Sequence, residues 1–298
     1  MRLLKNVQIR MDDGVRIAAD VYLPDGEGRY PAVFYFGPYR KEDWTLNGSM
    51  ARLPEIYTGR HYALVMGDIR GTNNSEGVAE RMFSPREQQD AYAMVEWIAA
   101  QPWCDGNVGI TGLSYGFFTS VLTAALQPPH LRAIAPIHGS VSWFYCIHEG
   151  GLPMSFGYHA NYAALMLAMQ GLSPGYRADG WRDLWKHRLE TMIPWGLNWW
   201  RQMADDATYD AESANRRYDR VKVPVFAVGG WWDRYPTDPL RLSENVDAPV
   251  KVLIGPWQHA RMDTAAVGPR LDYDIVLRWF DYWLKGEQNG IMDEPRFI

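Results

Sequence analysis

Cysteine is scarce in this chain of 298 residues: there are two, Cys104 and Cys146. They form no C-x-x-C pair, which removes the zinc-ribbon and thiol-redox signatures and any disulfide framework. No H-x-x-x-H pair or equivalent ligand cluster occurs, so neither a metal nor another cofactor is expected. Long apolar runs are lacking too. None reaches the about 18 residues of a membrane span, and the start, Met1-Arg2-Leu3-Leu4-Lys5-Asn6, has no extended apolar region of a signal peptide. The expectation is a cytoplasmic protein with reduced thiols and no membrane partner. Runs of basic residues are missing, and the net charge of −5 opposes a nucleic-acid surface. Neither an internal repeat nor a low-complexity segment is visible.

What is present is an ordinary globular composition, 47% hydrophobic and 22% charged, in a chain long enough for an α/β core with an insertion. Aromatic residues stand out, with 14 tryptophans and 17 tyrosines. They suit either core packing or an aromatic-walled ligand pocket.

The pattern along the chain alternates. Val7 to Leu23 reads as two strands joined at Asp12-Asp13-Gly14, a hairpin signal. Pro31 to Phe36 and Tyr62 to Met66 are short apolar strands. Ser84-Pro85-Arg86-Glu87 starts a helix, with a capping serine, a first-turn proline and a glutamate three residues on. Ala91, Met94, Val95 and Ile98 then recur at helical spacing up to Pro102. A strand at Val108-Gly109-Ile110-Thr111, a helix over 117–126 and a strand over Leu131 to Ile137 follow. This order predicts a mostly parallel sheet with helices on both faces. Residues 141–220 break the rhythm. Asn161 to Gln170, Trp181 to Met192 and Trp199 to Ala207 read as helices, and no strand signal appears there. The expected organisation is a core of residues 1–140 and 221–298 with a helical cap inserted at 141–220. A final amphipathic helix carries Val276, Trp279, Phe280, Trp283 and Leu284.

Within that frame, Gly112-Leu113-Ser114-Tyr115-Gly116 lies between a strand and a helix. A G-x-S-x-G pentapeptide in this context is a nucleophile elbow, which lifts the serine hydroxyl off the sheet edge. A serine needs a base, and the base needs an orienting acid. Two later strand-like runs each end in a candidate: Pro224 to Val228 leads through Gly229-Gly230 to Asp233, and Pro249 to Ile254 leads through Gly255 to His259. The glycines read as breaks that end those strands. Strand ends of a parallel sheet open on one edge, so Ser114, Asp233 and His259 are expected to converge as a catalytic triad. His61, His130, His138, His148, His159 and His187 are the other histidines, and His259 alone follows both the acid and the last strand.

Further motifs extend the pattern: Gly37-Pro38-Tyr39-Arg40-Lys41, Asp68-Ile69-Arg70-Gly71 with Ser75-Glu76-Gly77, Trp103 to Gly109, Gly230-Trp231-Trp232-Asp233, and Gly255-Pro256-Trp257-Gln258-His259. Together they resemble the CocE/NonD-type serine hydrolases, the family that contains cocaine esterase and the X-prolyl dipeptidyl peptidases. The resemblance implies an α/β-hydrolase fold and cleavage of small-molecule carboxylic esters or amides. It also implies an oxyanion hole made by the Tyr39 hydroxyl and the Tyr115 backbone N–H. Trp143, Phe144, Trp232 and Tyr235 are the aromatic positions expected nearest the acyl pocket. Family members similar to cocaine esterase continue into a C-terminal β-sandwich. Here Pro295-Arg296-Phe297-Ile298 reads as the unpaired opening of its first strand, so a fragment or a segment that associates with a separate sandwich is expected. A homo-oligomer is left open.

Three rival readings remain. An α-amino-acid ester hydrolase or an X-prolyl dipeptidyl peptidase would need an anionic grip on the substrate amine, for which Tyr145-Cys146-Ile147-His148-Glu149 offers Glu149. A non-catalytic binding module on the same fold is the third.

Overall fold

The computed structural model describes residues 1–42, 51–148, 157–259, 261–262 and 268–298, with the side chains of 157–159 set aside. Glu149 lies outside the described residues. The strands are β1 Arg2–Arg10, β2 Arg16–Leu23, β3 Tyr30–Gly37, β4 Ala63–Asp68, β5 Cys104–Leu113, β6 Leu131–Ile137, β7 Val225–Trp232 and β8 Val250–Gln258. They form one 8-stranded sheet in the order β1-β2-β4-β3-β5-β6-β7-β8. β1 and β2 pair antiparallel, as does β2 with β4, and every pairing from β4 to β8 is parallel. This is an α/β-hydrolase sheet.

Its central strands are apolar on both faces because helices cover both. Val33 and Tyr35 of β3, with Leu64 and Met66 of β4, face one layer. Ala32, Phe34, Phe36, Ala63 and Val65 face the other. The second layer holds α2 (Pro85–Ala99) and α3 (Tyr115–Ala125), and the first holds α1 (Leu53–Gly59) and α10 (Asp274–Lys285). α2 begins as its sequence implies: Ser84 Oγ accepts the Glu87 N–H at 3.2 Å, while Glu87 reaches back one residue further, to the Phe83 N–H at 3.1 Å. Each large aliphatic or Phe side chain fully buried in these layers stabilises the fold by about 1.5–3 kcal/mol. The layers meet closely at Gly109 of β5, where a Cβ would lie 2.6 Å from the Phe280 ring of α10.

Between β6 and β7 run α4 (Trp143–Ile147), α5 (Ala163–Gly171), α6 (Trp181–Thr191), α7 (Trp195–Arg201) and α8 (Ala207–Ala211), with no strand among the described residues of this stretch. The helix expected over Trp199 to Ala207 is instead the end of α7 and the start of α8. Asp206 explains the break, because its side chain accepts the Thr208 N–H and so caps a new helix. Gly196 lets α7 approach α5, a Cβ there falling 2.8 Å from that of Ala163. α9 (Asp238–Asn245) completes the set.

Two further expectations are corrected. β7 and β8 run through their glycines rather than ending at them, with Gly229 opposite Ile254 and Gly230 opposite Gly255. These glycines make room: a Cβ on Gly230 would sit 2.3 Å from the Trp257 carbonyl oxygen, and one on Gly255 2.4 Å from the Trp257 ring. The C-terminal residues are also paired. The Val252 N–H donates to the Arg296 carbonyl at 2.8 Å, and the Ile298 N–H donates to the Val252 carbonyl at 2.9 Å. Arg296 to Ile298 therefore lie parallel to β8, although the Phe297 and Ile298 side chains stay exposed. No helix among the described residues is long and apolar enough to cross a membrane.

Candidate active site

Ser114 stands between β5 and α3 with φ +60° and ψ −106°. A non-glycine residue held there is strained, and such strain persists only where neighbours enforce it. The flanking glycines permit it, since a Cβ on Gly112 would lie 2.5 Å from the Gly116 Cα. The Ser114 N–H donates to the Ile137 carbonyl at 2.9 Å, fixing the elbow to β6. The hydroxyl is thereby presented at the carboxyl edge of the sheet.

Parallel register brings the other two groups to that edge. Ser114 Oγ lies 2.9 Å from His259 Nε2, and His259 Nδ1 lies 2.9 Å from Asp233 Oδ1. The Arg234 N–H also donates to Asp233 Oδ1, at 2.5 Å. Burial works to raise the Asp233 carboxyl, but hydrogen bonding and charge from His138 and His259 outweigh it and hold it well below the usual carboxylate range. A carboxylate so held keeps one imidazole nitrogen as a donor and turns the other towards the serine. The sequence reasoning passed over His138 in this role. Its Nδ1 lies 3.0 Å from Asp233 Oδ2, a short contact whose hydrogen bond is bent.

Tyr39 follows β3. Its phenol lies 2.9 Å from the Tyr162 phenol, and its ring meets that of Tyr115 edge to face at 6.2 Å. Burial raises its ionisation, against hydrogen bonds from Tyr162 and Ser114, so it remains a neutral donor beside the serine. The loop carrying it is tied down. The Lys41 N–H and ammonium donate to the two oxygens of Asp68 at 2.9 and 3.0 Å, and Asn73 donates to the same carboxylate at 2.8 Å. Burial lifts Asp68 above the usual carboxylate range, and the Lys41 ammonium opposes that. Tyr115 opens α3, so its backbone N–H has no acceptor within the helix and sits at the positive end of the helix dipole. Its phenol is used elsewhere, donating to Glu87 at 2.7 Å. Burial pushes the Glu87 carboxyl up to about 8, despite the hydrogen bonds from Tyr115 and Phe83.

The aromatic positions divide. Tyr235 lies beside the site, edge to face with His259 at 5.7 Å, and its hydroxyl is 3.2 Å from Cys146 Sγ. Trp232 is 68% exposed at the end of β7. Trp143 is 2% exposed and packs on Phe83, Phe118 and Trp199. Phe144 stacks on His148 at 4.6 Å and packs on Tyr209. These last two, expected at an acyl pocket, are 2% and 6% exposed, packed between the core and the 141–220 helices, which takes their apolar rings out of water. Tyr162 entered no sequence argument, since nothing local places a residue 123 positions away beside Tyr39.

A cavity of about 700 Å³ adjoins the site, with Ser140, Cys146, Arg234, Tyr235 and Asp238 in its wall. Ser114 and His259 do not line it; it reaches the site through Arg234 and Tyr235, the neighbours of Asp233 and His259. Among the described residues, one group offers metal-ligand atoms close together: His138, Asp233 and His259, within 4.8 Å of one another. The 2.9 Å between His259 Nδ1 and Asp233 Oδ1 is a hydrogen-bond length.

Comparison with known proteins fits this geometry. Residues 13–261 match the family model of the X-Pro dipeptidyl-peptidases (S15 family). Cocaine esterase of Rhodococcus sp. (strain MB1 Bresler) is 29% identical, the alignment covering 98% of this chain and 56% of that protein. The Xaa-Pro dipeptidyl-peptidase of Lacticaseibacillus casei (strain BL23) is 24% identical over 85% of this chain and 34% of its own length. A CocE/NonD family hydrolase from Staphylococcus aureus shares the fold with a TM-score of 0.83 at 21% identity, over 99% of this chain and 53% of that one. The chain thus spans about half the length, or less, of the curated relatives it matches. With a match over most of its residues and the corresponding fold, the chain belongs to the X-Pro dipeptidyl-peptidase (S15) family.

Proposed function

We propose that this protein is a serine hydrolase that cleaves small carboxylic esters, and amides more slowly, through an acyl-enzyme. The observation that carries the reading is the hydrogen-bonded chain from Ser114 through His259 to Asp233, with the serine on a strained elbow. His259 Nε2 takes the Ser114 proton as Oγ attacks the substrate carbonyl. Asp233 holds the imidazole and stabilises the imidazolium that forms. The charge developing on the carbonyl oxygen is met by the Tyr39 hydroxyl and the Tyr115 N–H, which are fixed before the reaction starts. The imidazolium then protonates the leaving group. In the second half His259 activates water, which releases the acid and restores Ser114. Tyr235, which packs on His259, and Trp232, next to Asp233 in the chain, are read as bordering the acyl group.

The ester reading is placed ahead of an amine-gripping peptidase because the segment proposed for that role, Tyr145 to Glu149, offers a lone carboxylate, and a lone carboxylate is more often a solvated surface group. The names of the relatives, an esterase and a dipeptidyl-peptidase, keep both substrate classes in the test. A fluorophosphonate should add its mass to the peptide containing Ser114. Hydrolysis of phenyl acetate, phenylglycine methyl ester and Ala-Pro-nitroanilide then ranks the substrates. The reading predicts the simple ester first. Failure of both labelling and turnover would refute it.

A further inference from the structure

We propose that His138 is a positioning residue, a second imidazole that holds the far oxygen of Asp233 and so keeps the near oxygen on His259. This rests on the serine-hydrolase reading given above.

His138 follows β6 directly and is 0% exposed. Its backbone is unusual, with φ +50°. Its N–H donates to the Val228 carbonyl of β7 at 2.9 Å, which pins that strained residue between the two strands. The ring stacks on Trp257, with centroids 6.5 Å apart and planes at 27°. Space is made for it, because a Cβ on Gly230 would come within 3.1 Å of His138 Cε1. Neither ring nitrogen has a well-formed hydrogen bond, and Asp233 Oδ2 lacks one as well. These two unsatisfied groups face each other at 3.0 Å.

A buried imidazole held by one bent contact is costly, and the fold strains its backbone to keep one here. The arrangement has a use. A carboxylate swings about its Cβ–Cγ bond unless both oxygens are held. Oδ1 already accepts from the Arg234 N–H at 2.5 Å and faces His259 Nδ1 at 2.9 Å. Oδ2 faces His138. An N–H on Nδ1 of His138, directed at Oδ2, opposes the swing and preserves the Oδ1 contact while His259 takes up and returns its proton. The bent resting contact straightens as charge builds on His259, since catalytic hydrogen bonds commonly tighten only in the reacting complex. His138 touches neither Ser114 nor the substrate carbonyl in this scheme. It acts through Asp233.

The test compares wild type, His138→Phe and His138→Asn, using fluorophosphonate labelling, p-nitrophenyl acetate kinetics and thermal melts. Phe keeps the flat ring against Trp257 and loses the donor. Asn places an amide N–H near the former Nδ1 and tolerates positive φ. The expected result is a fall in kcat of about 10- to 100-fold for His138→Phe with KM little changed, as for a misplaced catalytic group. Recovery of most of that loss in His138→Asn is expected with it. Unchanged kcat in a folded His138→Phe overturns the proposal, as does an Asn variant no better than Phe. Should His138→Phe not fold, His138→Asn decides alone: near wild-type kcat supports the role, and a large loss in a folded protein overturns it. A wild-type chain that neither labels nor turns over overturns the hydrolase reading, and the role of His138 falls with it.

Discussion

Replacing Tyr39 by phenylalanine removes one oxygen from the site and leaves the ring against Tyr115, where it packs edge to face at 6.2 Å. The Lys41–Asp68–Asn73 network that anchors its loop is untouched. The structural cost is the hydrogen bonds to the Tyr162 phenol and to Ser114, each worth about 0.5–1.5 kcal/mol net. The catalytic cost is larger. A donor fixed in a dry site stabilises the oxyanion far more than the ground-state carbonyl, and losing one lowers kcat by about 10²–10³, or about 2.7–4 kcal/mol. The Tyr115 N–H remains as the second donor, so activity should fall to that level and not vanish. The assay is steady-state hydrolysis of p-nitrophenyl acetate, with the melting temperature as the control for folding. KM should change little, because the lost contact is made in the transition state. A Tyr39→Phe protein that melts like wild type and keeps kcat within about threefold, against the about 10² expected of a lost donor, would refute the assignment of the phenol to the oxyanion hole.

Asp233→Asn should keep the fold and lower kcat by about 10⁴, the loss seen when the wrong imidazole tautomer is imposed on a triad; kinetics at saturating ester checks it. Gly112→Ala should clash with the Gly116 Cα, which would lie 2.5 Å from the new Cβ, and lose about 1–3 kcal/mol in urea unfolding together with fluorophosphonate labelling. Glu87 carries a folded-state pKa raised from 4.5 to about 8. Its protonated form favours the fold, so its contribution is complete below about pH 4.5 and is lost as pH rises through about 8, a change on the order of a few kcal/mol. Melting temperatures of wild type should therefore decline from mildly acidic to alkaline pH, and Glu87→Gln should flatten that decline; parallel slopes would contradict it.

Local signals are legible in the chain itself. Ser84 caps α2 because a serine oxygen can reach the N–H of Glu87 three residues on. The elbow is legible because two glycines, one either side of a serine, describe a close backbone approach that no other residues allow. The glycines of β7 and β8 were misread for a related reason. Glycine marks either a chain break or a close contact, and Gly230 answers to the Trp257 carbonyl of the neighbouring strand, which local sequence does not announce. The aromatic residues were harder still. Trp143 and Tyr235 look alike as sequence, yet one lies in the core and the other touches His259.

Interactions between near neighbours are written into the chain: strand, elbow and helix, the order of serine, acid and histidine, and the alternation that makes a parallel sheet. They depend on steric limits and hydrogen bonds spanning a few residues. The meeting of Tyr39 with Tyr162, the placing of His138 behind Asp233, the pairing of Arg296 to Ile298 along β8 and the choice of which aromatics line the site arise from sheet register and packing between distant segments. Those depend on which surfaces exclude water together, and that is settled when the layers close on one another.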